Sequence, residues 1–134
     1  MTDSMLPFFS FIRKFWISIA LCIVILVLCF MPTEPLPKVP MTNFDKVVHC
    51  LMFWALSGVV FFDNTNYLRR AIERPRILRG SFLFPVLFSG LIEIGQTLFT
   101  TYRTGDWWDF FYDVIGAMLG CLSGLLINRR LRTA

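Results

Sequence analysis

This chain is short of the residues that carry chemistry in most soluble enzymes. It has one histidine, and only 16% of its 134 residues are charged. It holds no H-E-x-x-H or comparable ligand spacing, no glycine-rich phosphate loop, and no serine or cysteine in a nucleophile motif. The common zinc-hydrolase, P-loop and serine-hydrolase signatures are therefore excluded. Its four cysteines, Cys22, Cys29, Cys50 and Cys121, form no C-x-x-C pair. Each lies in an apolar run, where a thiol packs as a small hydrophobe. Internal repeats and low-complexity tracts are also missing. No small-x-small cleavage site follows the first apolar run, so that run reads as a retained helix rather than a signal peptide.

What the chain has in plenty is hydrocarbon. Its residues are 56% hydrophobic with a mean hydropathy of +0.64, too apolar for a soluble domain of this size. Four apolar runs, at 15–31, 45–62, 79–99 and 108–127, each approach the ~17–20 residues that cross a hydrocarbon core. The expected fold is an all-α membrane protein, a four-transmembrane-helix bundle forming one domain over 1–134. Thr42 with Asp45 three residues on resembles a capping box at the start of span two. Four prolines within 32–40 predict a stiff connector between spans one and two. The polar, arginine-rich segment 63–76 reads as the loop between spans two and three, and Pro85 is expected to kink span three.

Charge is distributed by side. Arg13, Lys14, Arg69, Arg70, Arg74, Arg76, Arg79, Arg129, Arg130 and Arg132 fall at one set of span ends, ten of the thirteen Lys and Arg. Such an excess in short loops marks the cytoplasmic face, so both termini are expected in the cytoplasm. The net charge of +4 then reflects topology and contact with anionic lipid, not nucleic-acid binding.

The remaining polar residues cluster at the opposite ends of the spans. Asp45, Lys46 and His49 open span two. Glu93 and Gln96, with Ser89 and Thr97, share a face of span three, and Glu93 lies about 9 Å below its outer end at 1.5 Å per residue. Arg103 sits in the short loop that follows. Asp106, Asp109 and Asp113 lead into span four and share an arc of about 100° with Gly116, Ala117, Gly120 and Gly124. Gly116-x-x-x-Gly120-x-x-x-Gly124 permits close helix approach, within the chain or between two copies. Spans that alternate in direction bring all these polar groups to one depth. Ionisable residues at such positions are costly and mark function by default.

Two kinds of reading follow. In one, Asp106 is the N-cap of span four with Asp109 at the third helical position, and Lys46 and Arg103 neutralise acids in a register-fixing network. In the other, Asp45, Lys46, His49, Glu93, Gln96, Arg103, Asp106, Asp109 and Asp113 line a pocket for the polar head of a lipid-linked ligand. The deepest groups, Glu93, Asp113 and His49, are the candidate general bases of an enzyme. The same three are the candidates for a divalent cation, although no metal motif is present and no cofactor is expected.

These residues carry a resemblance to the VanZ-like family of small membrane proteins. The matching segments are Asp45-Lys46-x-x-His49, Glu93-x-x-Gln96 and Arg103-x-x-Asp106-x-x-Asp109, followed by Gly116-x-x-x-Gly120. One position departs from the pattern, since the family usually has Asn where this chain has Asp113. The resemblance implies a multi-pass protein of the bacterial plasma (inner) membrane with a role in the cell envelope. It also points to antibiotic resistance of the teicoplanin type, with which the family namesake is associated. Binding of a lipid-linked envelope precursor or lipophilic glycopeptide, hydrolysis or transfer on such a substrate, and a purely structural role all stay open at this stage. The expected partner is the bilayer, with a lipid-linked envelope precursor and, through the glycine face, a second copy as open alternatives.

Overall fold

The computed structural model describes residues 6–32, 42–67, 74–101 and 105–133, and five helices account for nearly all of them. They are α1 (Leu6–Lys14), α2 (Trp16–Phe30), α3 (Thr42–Tyr67), α4 (Arg74–Phe99) and α5 (Trp107–Thr133). No strand occurs among the described residues. Helices α3, α4 and α5 are each long and apolar enough to cross a membrane. All-α architecture and a membrane helical bundle are therefore what the sequence encodes.

The first span differs from expectation. Helix α2 has 15 residues, about 22 Å at 1.5 Å per residue, short of the ~30 Å hydrocarbon core. Ahead of it the chain breaks at Phe15 and turns by 70° into α1. The bundle thus has three full-length spans, or four if the bent pair is one span. Helix α1 exposes Phe8, Phe9 and Phe11 and ends on Arg13 and Lys14. That is the composition of a helix lying along a membrane interface. The proline-rich connector lies outside the described residues beyond Pro32.

Helix α3 is the hub. Its buried positions His49, Phe53, Leu56, Val60 and Asp63 recur at alternating steps of four and three, forming one inward stripe. Phe53, Leu56 and Val60 join Ile25 and Cys29 of α2 and Ile92 of α4 in the apolar core. On its other side α3 meets α5 in the most extensive interface of the molecule. That closeness depends on glycine. A Cβ on Gly116 would strike the Cys50 carbonyl oxygen, and one on Gly120 would strike that of Trp54. The glycine face of α5 is thus filled by α3 of the same chain, the intramolecular one of the two uses its sequence left open.

Segment 63–76 is shorter as a loop than expected, because α3 runs on to Tyr67 and α4 starts at Arg74. Asp63 is not in a loop at all. It is buried, and its Oδ2 accepts from the Ser18 hydroxyl at 2.6 Å and from the Ser18 N–H at 3.3 Å. Helix α2 begins with no capping side chain of its own, so a carboxylate from α3 serves its first turn. Continuing the α3 stripe one step past Val60 is the sequence signal that reaches Asp63.

Pro85 is buried within α4, which continues through it. Its missing N–H leaves the Ser81 carbonyl, four residues back, without a helical partner. The buried Ser57 hydroxyl lies 2.9 Å from that oxygen and 2.8 Å from the Ala117 carbonyl, and so ties α3 to both neighbours. Ser57→Ala is expected to lower unfolding stability by about 1–3 kcal/mol, since it strands a buried carbonyl. Denaturant titration in a mild detergent measures this, and an unchanged midpoint would refute the assignment.

Candidate functional site

Of the polar residues predicted to converge, Lys46, His49, Glu93, Asp106, Asp109 and Asp113 meet at one end of the bundle, opposite the end where Arg13, Lys14, Arg76, Arg79, Arg129 and Arg130 gather on alternating helices. Asp106 immediately precedes α5 and is its N-cap, its Oδ1 accepting the Trp108 N–H at 2.9 Å. Asp109 stands at the third helical position, buried. Lys46 of α3 reaches both, at 3.4 Å from Asp106 and 3.3 Å from Asp109. Capping and charge pairing therefore account for these three residues.

Below them the groups are more deeply enclosed. His49 and Asp113 are 2% and 1% exposed, and His49 Nδ1 lies 3.1 Å from Asp113 Oδ1. The other Asp113 oxygen accepts from the Ser89 hydroxyl at 2.5 Å. His49 Nε2 points to Asp109 Oδ2 at 3.9 Å. One carboxylate thus sits between a serine and a histidine. That order differs from a nucleophilic triad, in which the histidine stands between serine and acid.

Glu93 divides its carboxylate between two environments. Oε2 accepts the Asp106 N–H at 2.8 Å, tying α4 to the start of α5. Oε1 is buried and has no hydrogen-bond partner. Buried polar atoms are nearly always paired, so this one needs an explanation. A carboxylate oxygen of Glu93, a ring nitrogen of His49 and a carboxylate oxygen of Asp113 all lie within 4.8 Å of one another. Asp45, exposed on the first turn of α3, forms a second such group with His49 and Asp109.

Gln96 is placed differently from its predicted neighbours. It is 1% exposed, and its amide donates to the Cys29 carbonyl at 2.8 Å, closing the last turn of α2. Arg103 lies outside the described residues. Thr97 supports the turn into α5, its hydroxyl accepting the Gly105 N–H at 3.0 Å.

A groove of about 430 Å³ opens beside Glu93, between α4 and the start of α5. Ile94, Leu98, Trp107 and Phe110 give it apolar walls, while Glu93, Thr97 and Asp106 supply a polar end. Asp106 lies ahead of the span, and the Trp108 N–H holds its carboxyl below the ordinary value, with the Lys46 ammonium adding to the effect. A lowered carboxyl contributes stability that is complete above the unfolded-state value and lost as pH falls through the folded one. Asp106→Asn keeps a good N-cap and removes only the charge. Wild type is expected to be the more stable near neutrality and to converge with the variant below the ordinary aspartate range. Parallel unfolding midpoints at every pH would contradict this.

Known proteins supply the context for this geometry. A family model described as VanZ/LLP1 matches residues 2–128. An uncharacterized protein of Schizosaccharomyces pombe is 33% identical over 112 residues, covering 84% of this chain and 60% of that relative. The chain therefore spans about three-fifths of the length of this curated relative. No solved structure matches significantly. With a family model matched over nearly its whole length and a relative 33% identical over 84% of it, the chain belongs to the VanZ/LLP1 family.

Proposed function

We propose that the groove beside Glu93 binds the polar head of a lipid-linked molecule while the lipid chain runs along its apolar wall. The observation that supports this most directly is the combination of a 430 Å³ apolar groove with Glu93, Thr97 and Asp106 at one end. Among the described residues lining the groove, Glu93 and Asp106 are the charged ones, so the head that fits donates hydrogen bonds, as sugar hydroxyls or an ammonium do. An isolated phosphate suits this electrostatics poorly.

The Lys/Arg distribution reads the end carrying Arg76, Arg79, Arg129 and Arg130 as cytoplasmic, so the groove is read as opening toward the outer leaflet. In a bacterial plasma membrane that leaflet presents lipid-linked envelope precursors. A lipophilic glycopeptide of the teicoplanin kind has the same two-part chemistry, which links the reading to antibiotic resistance. Ile94 is exposed on the groove wall, and Ile94→Trp fills the groove without touching a carboxylate. Mass spectrometry of lipid retained by the purified protein is expected to find a sugar-bearing lipid with wild type and at least about tenfold less with the variant. Equal retention of such lipids by both would sink the proposal.

A second reading makes Glu93 a general base in hydrolysis or transfer on a lipid-linked substrate, with Asp113 and His49 behind it. The unpartnered Glu93 Oε1 favours it, while the Ser89–Asp113–His49 order gives no activated serine. Turnover of a labelled lipid-linked precursor, lost in Glu93→Gln, would establish it. Glu93→Gln also addresses the purely structural alternative. An unpaired buried charge is held at the expense of stability, so this variant is expected to melt at or above the wild-type temperature. Melting well below wild type would make the polar cluster chiefly a lock.

A further inference from the structure

We infer that His49, Glu93 and Asp113 form a binding site for one divalent first-row transition ion. The site shares Glu93 with the groove, but it is inferred without regard to what the groove holds. Donor atoms from α3, α4 and α5 meet here within 4.8 Å of one another. Metal–nitrogen and metal–oxygen bonds of ~2.0–2.2 Å place neighbouring donors about 3.0–3.5 Å apart. The His49–Asp113 edge already has that spacing, at 3.1 Å.

A cluster of acids alone would not make a site. The independent observation is Glu93 Oε1, which is buried and has no hydrogen-bond partner, while Oε2 is committed to the Asp106 N–H. Such an oxygen is poorly accounted for by capping or ion pairing, and a cation would satisfy it.

The surroundings resemble the outer partners that orient metal ligands. Ser89 holds the second Asp113 oxygen at 2.5 Å, and Asp109 faces the far nitrogen of His49 at 3.9 Å. One imidazole with two carboxylates suits Mn²⁺, Fe²⁺ or Zn²⁺ better than the oxygen-only preference of Ca²⁺. Such ligands bind a metal in their deprotonated forms, so affinity is expected to fall as pH falls.

The test is equilibrium dialysis of the purified full chain in detergent, stripped with chelator, against Zn²⁺ or Mn²⁺ alone. Saturable binding of one ion per chain is expected, weakened at least about tenfold in Glu93→Gln and in His49→Gln. Asp45→Asn alters only the neighbouring cluster and is expected to bind as wild type does. Glu93→Gln is expected to remain folded, because the oxygen it alters has no partner, and its unfolding midpoint is measured alongside. A zinc-induced rise in that midpoint should appear in wild type and vanish in the variant. The inference is overturned by absence of saturable binding below millimolar ion, or by unchanged affinity in a folded Glu93→Gln. Dependence on Asp45 in place of Glu93 would overturn it equally. Ile94→Trp separates this result from the headgroup reading, since it should abolish lipid retention and leave ion binding intact.

Discussion

Gly116→Leu or Gly120→Leu is expected to destabilise the bundle by about 3 kcal/mol or more, the largest effect of any single substitution outside the polar cluster. A Cβ at position 116 would meet the Cys50 carbonyl oxygen directly, and would sit 3.0 Å from the Trp54 nitrogen. At position 120 it would meet the Trp54 carbonyl oxygen, with Ser57 Cβ at 2.6 Å. Most of these atoms belong to the α3 backbone, so no rotamer change relieves the clash and the two helices must separate. Separation would also pull Lys46 from Asp109 and His49 from Asp113. A graded series checks the argument. The atoms nearest Gly124 belong to the Phe61 ring, a side chain that can shift, and Gly58 has nothing within 4 Å, so Gly124→Ala should cost less than Gly116→Ala and Gly58→Ala almost nothing. Unfolding midpoints in detergent that failed to follow this order would show that α3 and α5 do not pack as described.

Asp113→Leu is expected to cost about 3–5 kcal/mol, whereas Asp113→Asn should stay within about 1 kcal/mol of wild type. Leucine removes the acceptor of the Ser89 hydroxyl and the partner of His49, and both remain buried. Asparagine offers a carbonyl oxygen to Ser89 and an amide N–H₂ to a neutral imidazole, in nearly the same volume. The VanZ-like pattern usually carries Asn at this position, so geometry and resemblance agree that the fold tolerates it. On the proposed reading, the charge of Asp113 serves what the site binds. Comparable losses in the two variants would instead make that charge the element that holds α3, α4 and α5 together.

Much of this was legible in the sequence. Hydropathy determined that α3, α4 and α5 are membrane-length helices, because backbone groups in hydrocarbon have no partners outside the helix. Helical periodicity put Asp109, Asp113, Gly116 and Gly120 on one face, and alternation of the helices put His49, Glu93 and Asp113 at one depth. Asp106 was recognisable as an N-cap from its position alone. Tertiary structure decided what each polar atom does. Periodicity gives a residue's face but not the neighbour it meets, and these partners lie far apart in sequence. Gln96 turns to the Cys29 carbonyl, Asp63 serves the start of α2, and Ser57 reaches the carbonyl stranded by Pro85. The 70° bend at Phe15 falls where the first apolar run begins, after Arg13 and Lys14, and nothing in the pattern showed that a further helix precedes it. Only the packing of three helices gave the two oxygens of Glu93 different surroundings, one paired with the entrance of α5 and the other buried without a partner.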